Sequence, residues 1–237
     1  MKCDVEVLKL SRVFAQNCAD LLKTGDTESG VQTVYPFSGK GHRLVPVFCD
    51  QTTDGGGWTV IQRRADLPQR EDFYRGWLDY QLGFGNLTGE FWLGLDNIHD
   101  LVNETQMELR VDLEDFDGEK RWAKYDLFHI EDSAGKYRLK LEDYQGDAVN
   151  DLHYNINAQF STKDADHDSS STNCAEAHKG AWWYKGCTYC DLNGFQHRGS
   201  YERNATVEPD GIYWSGFRGW DYSLKSTQLS VRPRLQN

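Results

Sequence analysis

The sequence predicts an α+β domain whose last third is built from loops. Met107, Leu109, Val111 and Leu113 alternate strictly with polar residues, and Tyr137, Leu139 and Leu141 repeat the pattern, as half-buried strands require. Residues 71–82, with Phe73, Trp77, Leu78 and Leu82, place apolar side chains near helical spacing. From Asn155 to Asp221 periodicity disappears, and Gly, Ser, Asn, Asp and aromatic residues dominate. A stretch of that length without regular elements is functional or disordered. Trp182, Trp183, Tyr184, Trp214, Phe217 and Trp220 within it argue for order.

The elements follow in chain order. Residues 1–16 lack turn signals and carry Cys3, which suits a leader or an interchain tether. Asn17 is placed to cap a short helix through Leu21 and Leu22 that ends at Gly25. Leu44 to Cys49 reads as a strand, Asp54–Gly57 as a turn, and Trp58 to Ile61 as the next strand. A Gly-rich bend spans Gly83 to Gly89. Phe91 to Leu93 is a buried strand, and Asp96 opens a short helix to Val102, capped by its own carboxylate.

Composition bounds the function. The chain has 237 residues, 38 % hydrophobic and 27 % charged, enough to bury a full core. No apolar run approaches the roughly 18 residues of a spanning helix. The formal charge of −11 argues against a phosphate-backbone partner, which needs a basic face. Six Cys and three sequons, at Asn86, Asn103 and Asn204, point to a secreted glycoprotein. No signal peptide is visible, which suggests a mature fragment.

Three candidate chemistries stand out. Asp164, Asp166 and Asp168 alternate ahead of Ser170 and Thr172, and such carboxylates repel one another unless a hard cation offsets them. Oxygen ligands of this kind suit Ca²⁺. The EF-hand template fails, with Ser169 at its sixth position and Ala175 at its twelfth, so the loop is a Ca²⁺ loop of another type or a solvated acidic turn. Cys187 and Cys190, with Cys174, His178 and His197 nearby, suit a zinc hook, a redox pair or disulfides, and the sequons favour disulfides. No hydrolase, metalloprotease or nucleotide-binding motif is present, and the acidic run Asp112, Glu114, Asp115 and Asp117 reads as a solvated surface rather than a glycosidase pair. The chain is therefore read as a non-enzyme. Trp58, Trp77 and Trp92 belong to the core, whereas Trp220 suits either the core or the wall of a shallow sugar or acyl pocket.

Several segments read together as one ordered series. They are Asn17–Leu22, Val47–Asp50, Gly55–Arg64, Gly89–Leu95, Phe160–Asp164, Asn173–Ala175, Gly180–Tyr184, Leu192–Gly194 and Val231–Pro233. From about residue 17 to 235 the chain resembles a fibrinogen-related domain, the family of fibrinogen C-terminal regions, ficolins, tachylectins, tenascins and angiopoietins. The resemblance implies one domain over 17–237 with subdomains at about 17–60, 61–150 and 151–237. These would be a small N-terminal part, a central antiparallel sheet, and a loop-rich part holding ligand and Ca²⁺. It implies disulfides Cys18–Cys49 and Cys174–Cys187 and a cis peptide at Gly186–Cys187. It also implies Ca²⁺ held by the side chains of Asp166 and Asp168 and the carbonyls of Ser170 and Thr172, with Asp164 nearby.

The pocket departs from the lectin-like pattern. His178 stands where those members have an aromatic residue, Thr188 where they have His, and Glu208-Pro209 where they have Tyr-Ala, while Trp220 is retained. The acidic residues of the fibrinogen γ chain are not reproduced either. A pocket edged by His178, His197, Arg198 and Glu208 is expected to be more polar. Cys3 and Cys190 remain outside the two bridges, Cys3 suiting a tether and Cys190 being free or intermolecular. The resemblance implies a secreted, extracellular, Ca²⁺-dependent lectin-like module of innate immunity, binding acetylated or anionic groups on microbial or host glycans, including bacterial surface components. Homo-oligomerisation would supply avidity. The competing expectation is an angiopoietin- or tenascin-like ligand for a protein receptor or matrix partner.

Overall fold

In the computed structural model, which describes residues 14–38, 41–204 and 206–234, one antiparallel nine-stranded sheet gathers strands from both ends of the chain. Its main path runs β1 (Gly30–Val34), β4 (Val45–Asp50), β5 (Trp58–Arg64), β15 (Ser226–Pro233), β8 (Met107–Glu114), β9 (Lys120–Ile130) and β10 (Leu139–Gly146). The short β6 (Phe84–Gly85) and β7 (Phe91–Trp92) attach beside β5. A separate ladder pairs β2 (Phe37–Ser38) with β3 (Gly41–His42). Residues 1–13 of the expected leader, and with them Cys3, lie outside the described residues.

The alternation at Met107, Leu109, Val111 and Leu113 is the inward face of β8, all four side chains being buried. Two strands escape that rule. In β9 the pairing slips between Met107 and Leu109, so the inward residues run Ala123, Tyr125, Phe128, Ile130 and lose the period of two. In β15 a bulge between Leu229 and Ser230 turns both residues inward, and the strand carries mostly polar side chains. Yet β15 sits between β5 and β8 at the middle of the sheet. The sheet therefore takes strands from all three of the expected subdomains.

Asn17 caps α1 (Cys18–Lys23) as its position predicts, its side chain accepting from the Asp20 N–H at 3.1 Å. The helix expected over 71–82 is shorter: only α2 (Trp77–Leu82) forms. The Glu90 carboxylate takes the backbone N–H groups of Ala65 and Glu71 at 3.2 and 2.9 Å and holds that stretch as a loop. Leu78 and Leu82 consequently face solvent, 64 % and 62 % exposed, and Phe73 and Tyr80 fill the interior instead. The next helix, α3 (Leu95–Asn103), is entered through Gly94 and not capped by Asp96. Gly94 has φ 102°, and a Cβ there would lie 2.7 Å from the Leu82 carbonyl, so only glycine fits. The Asp96 carboxylate instead accepts from the Tyr137 hydroxyl and the Gln81 amide.

Beyond residue 150 the elements are short: a 3-10 turn (Asp151–Asn155), α4 (Cys174–His178), β11 (Cys190–Asp191), β12 (Gly199–Ser200), β13 (Tyr213–Trp214), α5 (Ser215–Arg218) and β14 (Tyr222–Ser223). Order comes from aromatic packing. Phe160 stands 5.2–5.7 Å from Tyr80, Trp92 and Trp183, all four buried. Such pairs add about 0.5–1.5 kcal/mol each beyond their area burial. Trp58 and Trp92 are fully buried, while Trp77 packs at the edge of the core.

Two cross-links close this framework. Cys18–Cys49 ties α1 to β4, and Cys174–Cys187 ties α4 to the following loop, the two pairs the resemblance implies. With Cys187 so engaged, the Cys187–Cys190 spacing is neither a zinc hook nor a redox pair. Cys190 is a free thiol with no exposed surface, and burial pushes its pKa well up. A thiol so enclosed cannot bridge to another chain without opening the core, which removes the intermolecular alternative.

Candidate functional site

The site is assembled at the junction between the sheet and the C-terminal loops. Gln62 and Arg64, on β5, reach across to the Leu192–Gly194 turn. Gln62 donates to the Leu192 carbonyl at 2.8 Å, and Arg64 donates to the Gly194 carbonyl at 2.7 Å. Arg64 is buried and answered by Glu90 at 3.1 Å. At Gly194 the chain passes so close to Gly211 that a Cβ would fall 2.1 Å from its carbonyl oxygen. That crossing sets 195–211 against the Leu192 turn, and it brings Glu208 and Pro209 to α4.

A cavity of about 300 Å³ opens beside α4. His178, Thr188, Glu208 and Trp220 all line it, as do Ser170 and Thr172 of the acidic loop. The cis peptide Gly186–Cys187 forms part of its wall. Pro209 lies behind the wall and is buried, and its carbonyl accepts from His178 Nδ1 at 2.7 Å. His178 is almost wholly enclosed and stacks on Tyr184 at 5.5 Å. Burial lowers its pKa, outweighing the Pro209 hydrogen bond and the Glu208 charge, so the ring is neutral. Its Nε2 is buried with no hydrogen-bond partner, 4.0 Å from the Glu208 carboxylate.

Tyr184 continues the chain of contacts inward, its hydroxyl donating to Asp191 at 2.5 Å. Complete burial pushes the Asp191 carboxyl up to about 7, against the pull of Tyr184, the Asn193 N–H and Arg64. Thr188 offers the pocket little beyond its backbone. Its hydroxyl donates to the Cys190 carbonyl at 2.7 Å and accepts from Asn155 at 2.9 Å.

His197 and Arg198 do not edge this pocket. His197 bonds Asp210 at 2.7 Å and stacks on Tyr201 at 4.0 Å, and Arg198 pairs with Asp66 at 2.7 Å. Two residues the sequence reading passed over take their place, Tyr154 and Tyr189. Their rings are 4.7 Å apart, and Tyr189 stands 5.7 Å from Trp220. Tyr189 is 47 % exposed, and its place inside the Cys187–Cys190 interval was the signal available for it.

The acidic loop is ordered by its own carboxylates. Asp164 accepts from the Trp77 N–H at 2.8 Å and the Thr162 hydroxyl at 2.7 Å, which commits it to the protein. Asp168 takes the N–H groups of Ser170 and Cys174 at 2.8 and 2.9 Å, and Asp166 takes that of Asp168 at 3.1 Å. Desolvation raises the Asp168 pKa, and the Asp166 charge adds to it. Two like charges set so close, with the carbonyls of Ser170 and Thr172 following in the same loop, fit a hard cation. Among the described residues no group of three or more acidic, His or Cys side chains gathers for a metal, so a full coordination shell would draw on backbone carbonyls and water.

The acidic run at 112–117 is consumed by cations. Asp112 pairs with Arg110, Glu114 with Lys225 at 2.6 Å, and Asp115 and Asp117 with Arg218. The three sequon asparagines are exposed: Asn86 and Asn204 in turns, and Asn103 as the last residue of α3.

The family model for fibrinogen beta and gamma chains, C-terminal globular domain, matches residues 14–234. Tenascin-R of Gallus gallus is 45 % identical over 224 residues, covering 94 % of this chain and 16 % of tenascin-R. Fibrinogen C domain-containing protein 1 of Xenopus tropicalis is 43 % identical over 226 residues, covering 93 % of this chain and 48 % of that protein. The chain thus spans less than half of each. Among solved structures, the fibrinogen-like globe domain of human ANGPTL2 superposes with a TM-score of 0.88 at 42 % identity, over 93 % of this chain and 100 % of that one. Lamprey fibrin D-dimer, complexed with the peptide Gly-His-Arg-Pro-amide, gives 0.87 at 32 % identity, over 94 % and 75 %.

Proposed function

The chain belongs to the fibrinogen C-terminal domain family, and from that premise we propose that it is a secreted, non-catalytic recognition module that holds a glycan in the pocket beside α4. The observation that carries this reading is the convergence of His178, Glu208 and Trp220 with Ser170 and Thr172 on one open cavity of about 300 Å³. A shallow site with aromatic walls and a few polar atoms suits a sugar face, and single sites of that kind gain strength by oligomerisation. Bacterial surface components and host glycans are the natural ligand class, in an innate-immune role. Two disulfides suit the oxidising extracellular compartment.

Ca²⁺ is part of the proposal. When bound it would offset the like charges of Asp166 and Asp168. Those side chains, with the carbonyls of Ser170 and Thr172, would hold it, and the loop so fixed supports the pocket wall. A second reading, a ligand for a protein receptor or matrix partner, draws support from the identity to tenascin-R and to the ANGPTL2 globe, and from Tyr189, an exposed aromatic at the pocket rim. The lamprey relative carries a peptide in its structure.

A glycan array run in Ca²⁺ and again with chelator tests the choice. The glycan reading expects binding in Ca²⁺ that chelator weakens. No binding in either condition would give preference to the protein partner.

A further inference from the structure

The pocket carries an electrostatic preference that its departures from the lectin-like pattern create. The Pro209 carbonyl can only accept, so the proton of His178 lies on Nδ1 and is donated there at 2.7 Å. Nε2 therefore carries a bare lone pair, buried and unpartnered, 4.0 Å from the carboxylate of Glu208, which lines the cavity. A buried acceptor left without a donor is costly, and a ligand that supplies one recovers that cost. Burial of the ring keeps it neutral, so it acts as an acceptor rather than a charge. Among the described residues lining the cavity there is no Lys or Arg. The aromatic walls are the rings of Tyr154, Tyr189 and Trp220, whose faces are negative. The Lys185 ammonium already stands 5.7 Å from the Tyr154 ring, which leaves Tyr189 and Trp220 for a ligand cation.

We propose that this pocket selects a protonated primary amine carried on a sugar ring, an unacetylated amino sugar, over its N-acetylated form. The proposal rests on the glycan reading above and narrows its ligand. An ammonium offers three donors and a charge, enough to serve His178 Nε2 and Glu208 together. An acetamide offers one N–H and no charge, and an anionic sugar meets Glu208 as a repulsion. The aromatic faces suit both the cation and the C–H face of a pyranose, and the hydroxyls of Ser170 and Thr172 are at hand for ring hydroxyls.

Calorimetric titration in Ca²⁺ with glucosamine oligomers and with N-acetylglucosamine oligomers of equal length tests this. The amine form is expected to bind at least tenfold tighter, with an advantage that shrinks in high salt and that Glu208→Gln cancels. Glu208 is 60 % exposed at its side chain, so that variant keeps the fold. His178→Phe is expected to weaken the amine form alone. Equal or tighter binding of the acetylated oligomer overturns the proposal and leaves the glycan reading standing. Failure of both oligomers overturns the two together. Tighter binding of a short peptide with a free amino terminus, lost on acetylating that terminus, overturns the choice of a sugar.

Discussion

The sheet and the C-terminal loops reach order by opposite routes. In the sheet, hydrogen-bonded ladders such as β8 on β15 fix the backbone and leave one apolar face to bury. Beyond residue 150, cross-links, buried charges and aromatic contacts do that work: the Cys174–Cys187 bridge, Arg64 on the Gly194 carbonyl, and Phe160 among Trp92 and Trp183. The paired strands carry a hollow of about 590 Å³ across β4, β5, β8, β9 and β15, lined by charged side chains such as Arg63, Arg110, Asp112 and Glu114. Irregular chain held at a few points leaves another beside α4, where His178 keeps an unsatisfied nitrogen. Among the described residues, orphaned buried atoms occur in both parts, at Asn97, Asp115 and Ser230 as well as at His178 and Trp182. The difference teaches that the route to order, and not its cost, separates the proposed binding half from the sheet.

The sharpest way to break the comparison is to cut the tie between the two halves. Glu90→Ala strands the buried Arg64 guanidinium and frees the N–H groups of Ala65 and Glu71. The expected cost is about 3–5 kcal/mol in denaturant unfolding. A loss near that of an exposed ion pair, under about 1 kcal/mol, would mean the tie is not what joins them.

The two disulfides sharpen it further. Replacing either pair by Ser is expected to cost about 3 kcal/mol, since the loops they close are of similar order. The consequences should separate. Cys174→Ser with Cys187→Ser is expected to abolish ligand binding in conditions where the protein is still folded, whereas Cys18→Ser with Cys49→Ser lowers stability and leaves binding intact. Equal loss of binding would erase the distinction.

The proposed calcium loop is expected to give a smaller effect. Asp166→Ala is expected to lower the thermal midpoint in Ca²⁺ buffer and to remove the shift caused by chelator. A cation at a hundredfold excess over its Kd supplies about 2.7 kcal/mol. If both proteins melt alike in both buffers, the loop is not a metal site.

Much of the sheet half was legible in the sequence because burial there follows a period of two, as at Met107–Leu113. It failed where bulges break the period, in β9 and β15, and where a distant carboxylate overrode a local pattern, as Glu90 does over 65–71. In the loop half, motif positions did better than periodicity. His178, Glu208 and Trp220 do share one cavity. What stayed hidden was the direction each side chain takes. Thr188 turns its hydroxyl inward, Pro209 stands behind the wall, and His197 is taken by Asp210, all decided by partners remote in sequence.

The smallest expected effect is a pH slope. The Asp191 carboxyl, raised to about 7 by burial, is favoured in its protonated form when folded. Its contribution is fully present below the ordinary Asp value and is lost as pH rises through about 7. The wild-type thermal midpoint is therefore expected to fall between pH 5 and 8 by a few degrees more than that of Asp191→Asn. Identical slopes would contradict the assignment.

The central claim, that the loop half is the binding half, is tested most directly by amide hydrogen exchange with and without Ca²⁺ and a bound oligosaccharide. Protection is expected to rise across 164–190 and 206–220, with β5, β8 and β15 unchanged. Protection that appears on the sheet strands while those loops stay as they were would contradict it.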